Sequence, residues 1–294
     1  MEKYIQKAET LIEALPYIRS FNGKTVVVKY GGAAMAGEER MASFAEDMVL
    51  LQYVGIRPVV VHGGGPQIDR MLERLSIPSR RRAGLRVTSP EAMEVVEMVL
   101  GGTVNKQIVA LVHRFGGRAV GLTGKDGGLI RARKHTPHAP GGGEPVDLGL
   151  VGEVVEVRPG LLESMERGGF MPIIAPIGVG PDGATYNING DTVAAAVASA
   201  LKAEKLVILT DVPGILDAGK ELVSTMTAFE AEAGIRAGTI GGGMIPKVEC
   251  GLSALASGVG KVHILDGRVP HSVLLEIFTD AGIGTEIVRS EEGA

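Results

Sequence analysis

Apolar segments that predict buried β-strands alternate with helical segments along this chain, and the first strands end in glycine. Thr25–Tyr30 is followed by two glycines and the segment 58–62 by three. Strands that alternate with helices indicate a largely parallel sheet with both faces covered. We therefore predict an α/β/α fold in which a largely parallel central sheet is sandwiched between helices.

The chain of 294 residues is long enough for one large domain or two lobes. A change in composition near the predicted strand 171–177 suggests an N-terminal helix at 1–20, an N-terminal lobe at 21–170 and a C-terminal lobe at 171–294, with one continuous sheet. Residues 131–147 are rich in proline and glycine and are expected to form a mobile loop or hairpin tip. Two histidines in this loop, His135 and His138, are predicted to be solvated.

Composition excludes several classes of protein. The single cysteine, Cys250, rules out an internal disulfide and a cysteine-based metal site. A net charge of −4 offers no electrostatic footprint for nucleic acid, and the run Arg80-Arg81-Arg82 is expected to be a solvated loop face. Without a signal peptide or an apolar run near 18 residues, the chain is expected to be soluble and cytoplasmic, with no membrane contact.

The pentapeptide from Asn187 to Asp191 lies between a predicted strand and an alanine-rich helix. In an extended segment its alternating polar residues, Asn187, Asn189 and Asp191, would point the same way. Asp191 is predicted to cap the helix, so that side-chain acceptors and a helix N-terminus converge on one point that suits an anionic ligand. Taken alone, the pentapeptide is equally compatible with a turn before a helix.

The first two strands end in segments that could bind an anion. Lys29 precedes Tyr30-Gly31-Gly32, and His62 precedes Gly63-Gly64-Gly65. Such turns can present backbone N–H groups as an anion-binding nest, although each is weak evidence alone, and His62 is expected to be a structural residue at the strand end. The segment 121–126 only approaches a P-loop, and no G-x-G-x-x-G follows the first strand, so a dinucleotide fold is not expected.

Six segments occur in one order over roughly residues 20–290, and together they resemble the amino acid kinase family. Segments 84–88 and 187–191 are similar to members that act on acetylglutamate, rather than on carbamate, aspartate, glutamate or uridylate. The resemblance implies that ATP, with Mg²⁺, phosphorylates the side-chain carboxylate of N-acetyl-L-glutamate in arginine biosynthesis. The six segments are Lys29-Tyr30-Gly31-Gly32, His62-Gly63-Gly64-Gly65, Gly84-Leu85-Arg86-Val87-Thr88, Asn187-Ile188-Asn189-Gly190-Asp191, Leu209-Thr210-Asp211-Val212-Pro213-Gly214 and Gly241-Gly242-Gly243-Met244-Ile245-Pro246-Lys247.

The resemblance also implies roles for individual residues. Lys29 and Lys247 would stabilise the transition state, and Asp191 would organise both lysines. Arg86 would clamp the α-carboxylate of the substrate, because a guanidinium binds a carboxylate through two hydrogen bonds. Mg²⁺ would be held by phosphate oxygens and water, without protein side chains. The other expected residues are Gly64, Gly65, Asn187 and Asn189 for the substrate, Gly31, Gly32 and Gly63 for phosphate, and Thr210, Asp211, Gly214, Thr239, Gly241 and Gly242 for the nucleotide.

A second, regulatory site is a further hypothesis. The helical stripe before Phe21 contains Pro16, which would kink it. In relatives with a similar extension, such a helix links dimers into a hexamer and arginine inhibits, so a homohexamer, and at minimum a homodimer, is expected. The run 263–285 resembles the arginine-site region of those enzymes. The alternative is a helix packed on its own subunit. The expected L-arginine contacts are Tyr17, His263, Glu276 and Gly282.

Two other functions remain open from the sequence. One is a related kinase acting on an acetylaminoadipate-type substrate, since a single methylene is worth only about 1–3 kcal/mol in discrimination. The other is a non-catalytic arginine-sensing domain, like the kinase-like half of some acetylglutamate synthases. The presence of Lys29, Asp191 and Lys247 argues against the second, as does a chain that ends at Ala294 without room for an acetyltransferase domain.

Overall fold

A computed structural model of the protein describes residues 1–82, 84–137, 144–279 and 282–289. The strands within these ranges are β1 (Thr25–Tyr30), β2 (Arg57–His62), β3 (Arg80–Arg82), β4 (Leu85–Val87), β5 (Ala119–Thr123), β6 (Ile130–Lys134), β7 (Gly152–Val157), β8 (Met171–Ala175), β9 (Ile177–Val179), β10 (Thr185–Asn187), β11 (Lys205–Thr210), β12 (Thr225–Thr227), β13 (Lys261–Asp266) and β14 (Thr285–Val288). The main sheet has the order β12-β14-β13-β11-β1-β2-β8-β5. Its neighbours pair in parallel, except that β13 and β14 are antiparallel.

Helices connect these strands and cover the sheet. They are α1 (Glu2–Phe21), α2 (Glu38–Tyr53), α3 (Gly65–Arg74), α4 (Pro90–Glu97), α5 (Asn105–Arg114), α6 (Gly160–Arg167), α7 (Gly190–Ala200), α8 (Ala228–Ala237), α9 (Ile245–Ala256) and α10 (Ser272–Ile277). A π-helical segment, Met98–Val104, joins α4 to α5. The pair Gly101-Gly102 lies inside it, and the backbone widens there and continues.

The two faces of the main sheet bury separate apolar clusters. Val26 and Val28 of β1 contribute to one cluster and Val27 to the other, because successive strand residues point to opposite faces. Buried residues of α2, α4 and α5 complete the first cluster, and those of α7 and α9 complete the second. The predicted α/β/α sandwich with a largely parallel central sheet is therefore confirmed.

The main sheet is continuous across the predicted lobes. Strand β1 pairs with β11 on one side and with β2 on the other, so the two halves of the chain meet at the centre of the sheet. Strand β8, which begins where the C-terminal lobe was expected to begin, lies between β2 and β5. Strands of both predicted lobes therefore lie side by side in this half of the sheet.

A second sheet has the order β10-β9-β6-β7, and its strands β6 and β9 follow the main-sheet strands β5 and β8 along the chain. Strands β6 and β7 pair in antiparallel fashion. Part of the expected loop at 131–147 is thus strand β6, and residues 138–143, including His138, lie outside the described residues. The expectation that His135 is solvated is wrong, because its ring is partly buried and Nδ1 lies 3.0 Å from Glu153 Oε2.

The helical stretch Pro90–Arg114 is long and apolar enough, by length and composition alone, to cross a membrane. This is weak evidence, and its apolar residues have another explanation. Val95, Val99, Val104 and Ile108 are buried in the first apolar cluster. The run of arginines at 80–82, expected to be a loop face, is exposed but forms strand β3 of a hairpin with β4.

Candidate active site

Two lysines bind the two oxygens of one buried carboxylate at the carboxyl edge of the main sheet. Lys29 Nζ lies 3.0 Å from Asp191 Oδ1, and Lys247 Nζ lies 2.9 Å from Asp191 Oδ2. Lys29 is near the end of β1, whereas Asp191 and Lys247 lie in the first turns of α7 and α9. The side chain of Asp191 is only 7% exposed. Residues from three separate elements therefore form one charged cluster.

The prediction that Asp191 caps α7 is wrong. Asn189 is the N-cap, and its Oδ1 accepts a hydrogen bond of 2.7 Å from the backbone N–H of Asp191. Asparagine is as good a capping residue as aspartate. Because Asn189 takes this role, the Asp191 carboxylate is free to bind the two lysines.

The two ammonium groups keep Asp191 ionised. Burial alone would raise the pKa of this carboxyl, but the charges of Lys29 and Lys247 and the hydrogen bond from Lys247 lower its pKa below the usual value. Oδ2 accepts a hydrogen bond from Lys247, whereas Oδ1 has no hydrogen bond of standard geometry. The contact of Oδ1 with Lys29 is therefore best described as an ion pair. One negative charge holds two positive charges together.

A first cavity opens on one side of this cluster. It contains Lys29, Asp191 and nearly all of the residues predicted for substrate and phosphate. Gly31 does not line it but packs under it, since a Cβ on Gly31 would lie 3.2 Å from the backbone nitrogen of Gly63. The predicted residues that line the first cavity are Gly32, Gly63, Gly64, Gly65, Arg86, Asn187 and Asn189.

Arg86 is buried at the wall of the first cavity and is held by neighbours that the sequence did not reveal. Its guanidinium donates hydrogen bonds to Asp69, to Ser79 Oγ and to the carbonyl of Gly65. The Arg86 hydrogen bond is the main cause of a lowered pKa at Asp69, even though that carboxyl is partly exposed. No motif marked Asp69 or Ser79, because single polar residues on α3 and before β3 carry no periodic signal.

A second cavity opens beside the third member of the cluster, Lys247, at the start of α9. Lys247 lines it together with all but one of the residues predicted for the nucleotide. Gly242 is not in the lining, but it lies in the adjacent turn with a left-handed φ of 56°. The predicted residues in the lining are Thr210, Asp211, Gly214, Thr239 and Gly241. The charged cluster therefore separates two cavities, one on each side.

A third cavity lies at the opposite end of the sheet, between α1 and α10. All four residues predicted for arginine line it: Tyr17, His263, Glu276 and Gly282. Glu276 Oε1 lies 2.7 Å from His263 Nδ1, and Glu276 Oε2 accepts a hydrogen bond from the N–H of Ile283. These four residues, far apart in sequence, share one cavity.

Lys205 is an additional charged group of the third cavity that sequence reasoning missed. Its Nζ lies 3.0 Å from His263 Nε2 and 5.0 Å from the ring centroid of Phe21. Burial lowers the pKa of His263, which keeps the imidazole neutral. Nδ1 then donates to Glu276, and Nε2 accepts from Lys205. Lys205 is the first residue of the buried strand β11, and no motif in the sequence marked it.

Among the described residues, no group of three or more His, Cys, Asp or Glu side chains is placed to hold a metal ion. Both oxygens of Asp191, the most buried acid of the candidate site, face ammonium groups.

The model of the amino acid kinase family matches residues 24–266. The acetylglutamate kinase of Syntrophobacter fumaroxidans is 59% identical over 293 residues, which cover 98% of each chain. That of Heliobacterium modesticaldum is 55% identical over 295 residues, which cover 98% of this chain and 100% of the relative.

Solved structures with the same fold include an N-acetylglutamate synthase and a carbamate kinase. The synthase of Neisseria gonorrhoeae, complexed with coenzyme A and N-acetyl-glutamate, superposes with a TM-score of 0.84 at 29% identity. The match covers 96% of this chain but 63% of the synthase chain. The carbamate kinase of Giardia lamblia bound to AMP-PNP has a TM-score of 0.67 at 17% identity over 91% of this chain and 99% of its own, a likeness of fold alone.

Proposed function

The chain belongs to the amino acid kinase family, and we propose that it transfers the γ-phosphoryl group of ATP to the side-chain carboxylate of N-acetyl-L-glutamate. The observation that carries this proposal is the cluster of Lys29, Asp191 and Lys247 between two cavities. One cavity would hold the acyl amino acid and the other the nucleotide. The names of the curated relatives support the choice of substrate.

The reaction needs positive charge more than it needs a base. A side-chain carboxylate with a pKa of about 4.3 is already ionised at neutral pH, so no residue has to remove a proton. The difficulty is to bring two anions into line and to stabilise the charge on the transferring phosphoryl group. Two lysines fixed by one carboxylate meet that requirement. Lys29 would act from the acceptor side and Lys247 from the nucleotide side, and Asp191 would set the distance between them.

Each substrate has a proposed set of contacts. Arg86 would bind the α-carboxylate, because Asp69 and Ser79 hold its guanidinium at the cavity wall. Asn187 and Asn189 would recognise the acetylamido group, while Gly64 and Gly65 would offer backbone N–H groups to the reacting carboxylate and phosphate. Thr210, Asp211, Gly214, Thr239, Gly241 and Gly242 would form the nucleotide site, and Mg²⁺ would arrive with ATP. The N-terminal lobe, together with Asn187 and Asn189 of the C-terminal lobe, would thus bind acetylglutamate, and the C-terminal lobe would bind ATP.

An ATP-dependent hydroxamate assay tests the proposal. Acetylglutamyl phosphate reacts with hydroxylamine, so product should accumulate only when ATP, Mg²⁺ and acetylglutamate are all present. Acetylaminoadipate should react much more slowly under the same conditions. A faster reaction with acetylaminoadipate would favour the related kinase. No product from either substrate would favour a non-catalytic sensing domain.

We propose further that L-arginine inhibits the enzyme by binding in the third cavity. Glu276 would pair with the ligand guanidinium, next to His263 and Gly282, and Tyr17 would come from the N-terminal helix. The Neisseria gonorrhoeae synthase, which has the same fold over 96% of this chain, has been crystallised with coenzyme A and L-arginine. That structure supports the proposal by analogy, and the hydroxamate assay with added arginine tests it.

Helix α1 supports a proposed homo-oligomer, a hexamer built as a trimer of dimers. Its apolar residues are exposed: Leu11 is 72% exposed and Ile12 67%. No residue of α1 is buried. A second α1 would cover this apolar surface, and sedimentation would measure the size of the assembly. We also propose a cytoplasmic location, where ATP is available.

A further inference from the structure

A fully buried pair of polar side chains lies beneath the glycine turn of the first cavity. His62 ends β2, and Asn105 begins α5 directly after the π-helical segment. His62 Nδ1 lies 2.8 Å from the carbonyl oxygen of Gly63, and His62 Nε2 lies 3.2 Å from Asn105 Nδ2. Neither side chain is accessible to solvent.

The partners of His62 determine which ring nitrogen carries the proton. The carbonyl of Gly63 can only accept, so Nδ1 must donate, and in a neutral ring Nε2 must then accept from Asn105. Asn105 Nδ2 also donates to the carbonyl of Ile173 at 2.8 Å, and its Oδ1 accepts from Lys106 at 3.1 Å. Burial is the main cause that lowers the pKa of His62 to about 4, which keeps the ring neutral near pH 7.

The glycine turn is held from below by several contacts. The N–H of Gly63 donates to the carbonyl of Tyr30 at 2.7 Å, while its own carbonyl accepts from His62. Gly64 touches Leu100, since a Cβ at position 64 would lie 2.5 Å from Leu100 Cδ2. Gly65 is the first residue of α3, so its N–H has no partner within the helix.

The π-helical segment brings two of these supports to the turn. Leu100 lies within it, and Asn105 is the residue that follows it. A π-helical turn contains more residues than an α-helical one and is frequent at functional sites. Here the wider turn places an apolar side chain under Gly64 and an amide under His62. The pair Gly101-Gly102 is the one local sequence feature that marks this irregularity.

We propose that His62 and Asn105 are positioning residues for phosphoryl transfer: His62, held in one tautomer by Asn105, fixes the Gly63 carbonyl and thereby the Gly64–Gly65 backbone that lines the first cavity. This inference rests on the proposed kinase function and extends it to two residues that touch no reactant. A pair retained for stability alone would change kcat only through the loss of folded protein, whichever ring nitrogen loses its partner. The proposal requires the donor at Nδ1.

Two substitutions separate the roles of the ring nitrogens. When it replaces His62, the side-chain amide of asparagine takes the position of ring atom Nδ1. The longer side chain of glutamine places its amide at the position of Nε2. His62→Gln keeps a partner for Asn105 but loses the donor to Gly63, so kcat should fall by up to about 100-fold, the scale of a small misplacement of a catalytic group. The KM for ATP should change less than twofold. His62→Asn keeps the donor and should recover most of the lost kcat, with a lower melting temperature than His62→Gln.

A third variant reverses the tautomer. In Asn105→Asp the carboxylate can only accept a hydrogen bond, so Nε2 must carry the ring hydrogen and donate it. A neutral ring then has no N–H left at Nδ1 for the carbonyl of Gly63. Protonation of the ring restores a hydrogen at Nδ1, so kcat should rise as the pH falls from 8 to 6, relative to wild type. Lys106 is the other charged group that faces this pair. His113→Gln is the matched control, because His113 also bonds to backbone, at Ala119, away from the cavities.

The hydroxamate assay with wild-type enzyme is run first, since failure there refutes the kinase function rather than this inference. With an active wild type, the inference is overturned if kcat follows melting temperature across the variants, or if His62→Gln matches wild type. It is also overturned if all His62 and Asn105 variants aggregate while His113→Gln folds, because the pair would then serve stability alone. A loss of kcat in His62→Gln that His62→Asn reverses supports it.

Discussion

Lys29, at the end of a central strand, forms a 3.0 Å ion pair with Asp191, at the start of a helix from the other half of the chain. Their side chains are 12% and 7% exposed, so water screens the interaction little. A buried charge that loses its partner is strongly destabilised, whereas a satisfied pair is tolerated. The pair therefore joins the two halves of the protein at the point where the two proposed substrates would meet.

Asp191→Asn tests whether this carboxylate organises the two lysines. The amide cannot neutralise two ammonium groups, so they should move apart. We expect kcat to fall by about 100-fold or more, which is the scale of losing one preorganised electrostatic contact. The KM for acetylglutamate should change little. Steady-state kinetics by the hydroxamate assay measures both. A variant with normal kcat would remove Asp191 from the mechanism.

Lys247→Ala should lower kcat by about 100-fold or more, because one of two charges on the transferring group is lost. Binding of acetylglutamate, measured by calorimetry, should remain nearly intact. Lys24→Ala is the control: Lys24 precedes β1, far from Lys29, and forms an exposed pair with Glu204 at 3.2 Å. Such surface pairs contribute about 0–1 kcal/mol. Equal kinetics for the two variants would contradict the role of Lys247.

Arg86→Lys should raise the KM for acetylglutamate, because lysine cannot bind a carboxylate through two parallel hydrogen bonds or replace all contacts to Asp69 and Ser79. The expected increase is about 10-fold or more, corresponding to the 1.5–3 kcal/mol of a charged hydrogen bond. The KM for ATP should stay constant. Arg82→Lys, at an exposed position of β3, is the control. A larger increase in the KM for ATP than in the KM for acetylglutamate would mean that Arg86 belongs to the nucleotide site.

His62 makes a prediction about stability and pH. Its pKa is lowered from 6.5 to about 4 in the folded protein. Between these values the unfolded chain binds a proton that the folded chain does not, so this residue's contribution is present above pH 6.5 and is lost as the pH falls toward 4. The shift corresponds to about 3 kcal/mol at most.

Urea unfolding of wild type and His62→Asn at pH 7, 6 and 5 measures this contribution. The difference in unfolding free energy between the two proteins should shrink as the pH falls, because only the wild type contains His62 and loses its contribution to stability. Other titrating groups cancel in the difference. A difference that is constant across this range would mean that His62 is not held neutral.

Deletion of residues 1–20 tests the regulatory proposal. The truncated chain lacks the exposed apolar surface of α1 and also Tyr17 of the third cavity. The hexamer should therefore disappear in sedimentation, and arginine should no longer inhibit, while the sheet stays folded by circular dichroism. Each enzyme is compared with its own rate without arginine. If arginine inhibits the truncated enzyme as strongly as the full-length one, the site lies elsewhere.

Local pattern was a good guide to the main elements but a poor one to short or irregular elements. The apolar run Thr25–Tyr30 was predicted with the bounds that the structure has, because six buried or half-buried residues leave little ambiguity. Helices α6, α8 and α10 were not foreseen. They have at most ten residues each, so their apolar periodicity is short. For α8 the missed signals were the capping box of Thr227 and Glu230 and the left-handed Gly238 at its end.

The sequence by itself determined the fold class, because alternating apolar strands and amphipathic helices can bury their faces only in a layered sandwich. It also indicated which residues stand at strand ends, including Lys29 and the glycines after His62. Only the tertiary structure decided that Lys29, Asp191 and Lys247 meet, that Asn189 rather than Asp191 caps α7, and that Asp69 holds Arg86. The spacing of apolar residues indicates which face of its own strand or helix a residue lies on. Contacts between distant elements depend on the order of strands in the sheet, which local pattern does not encode.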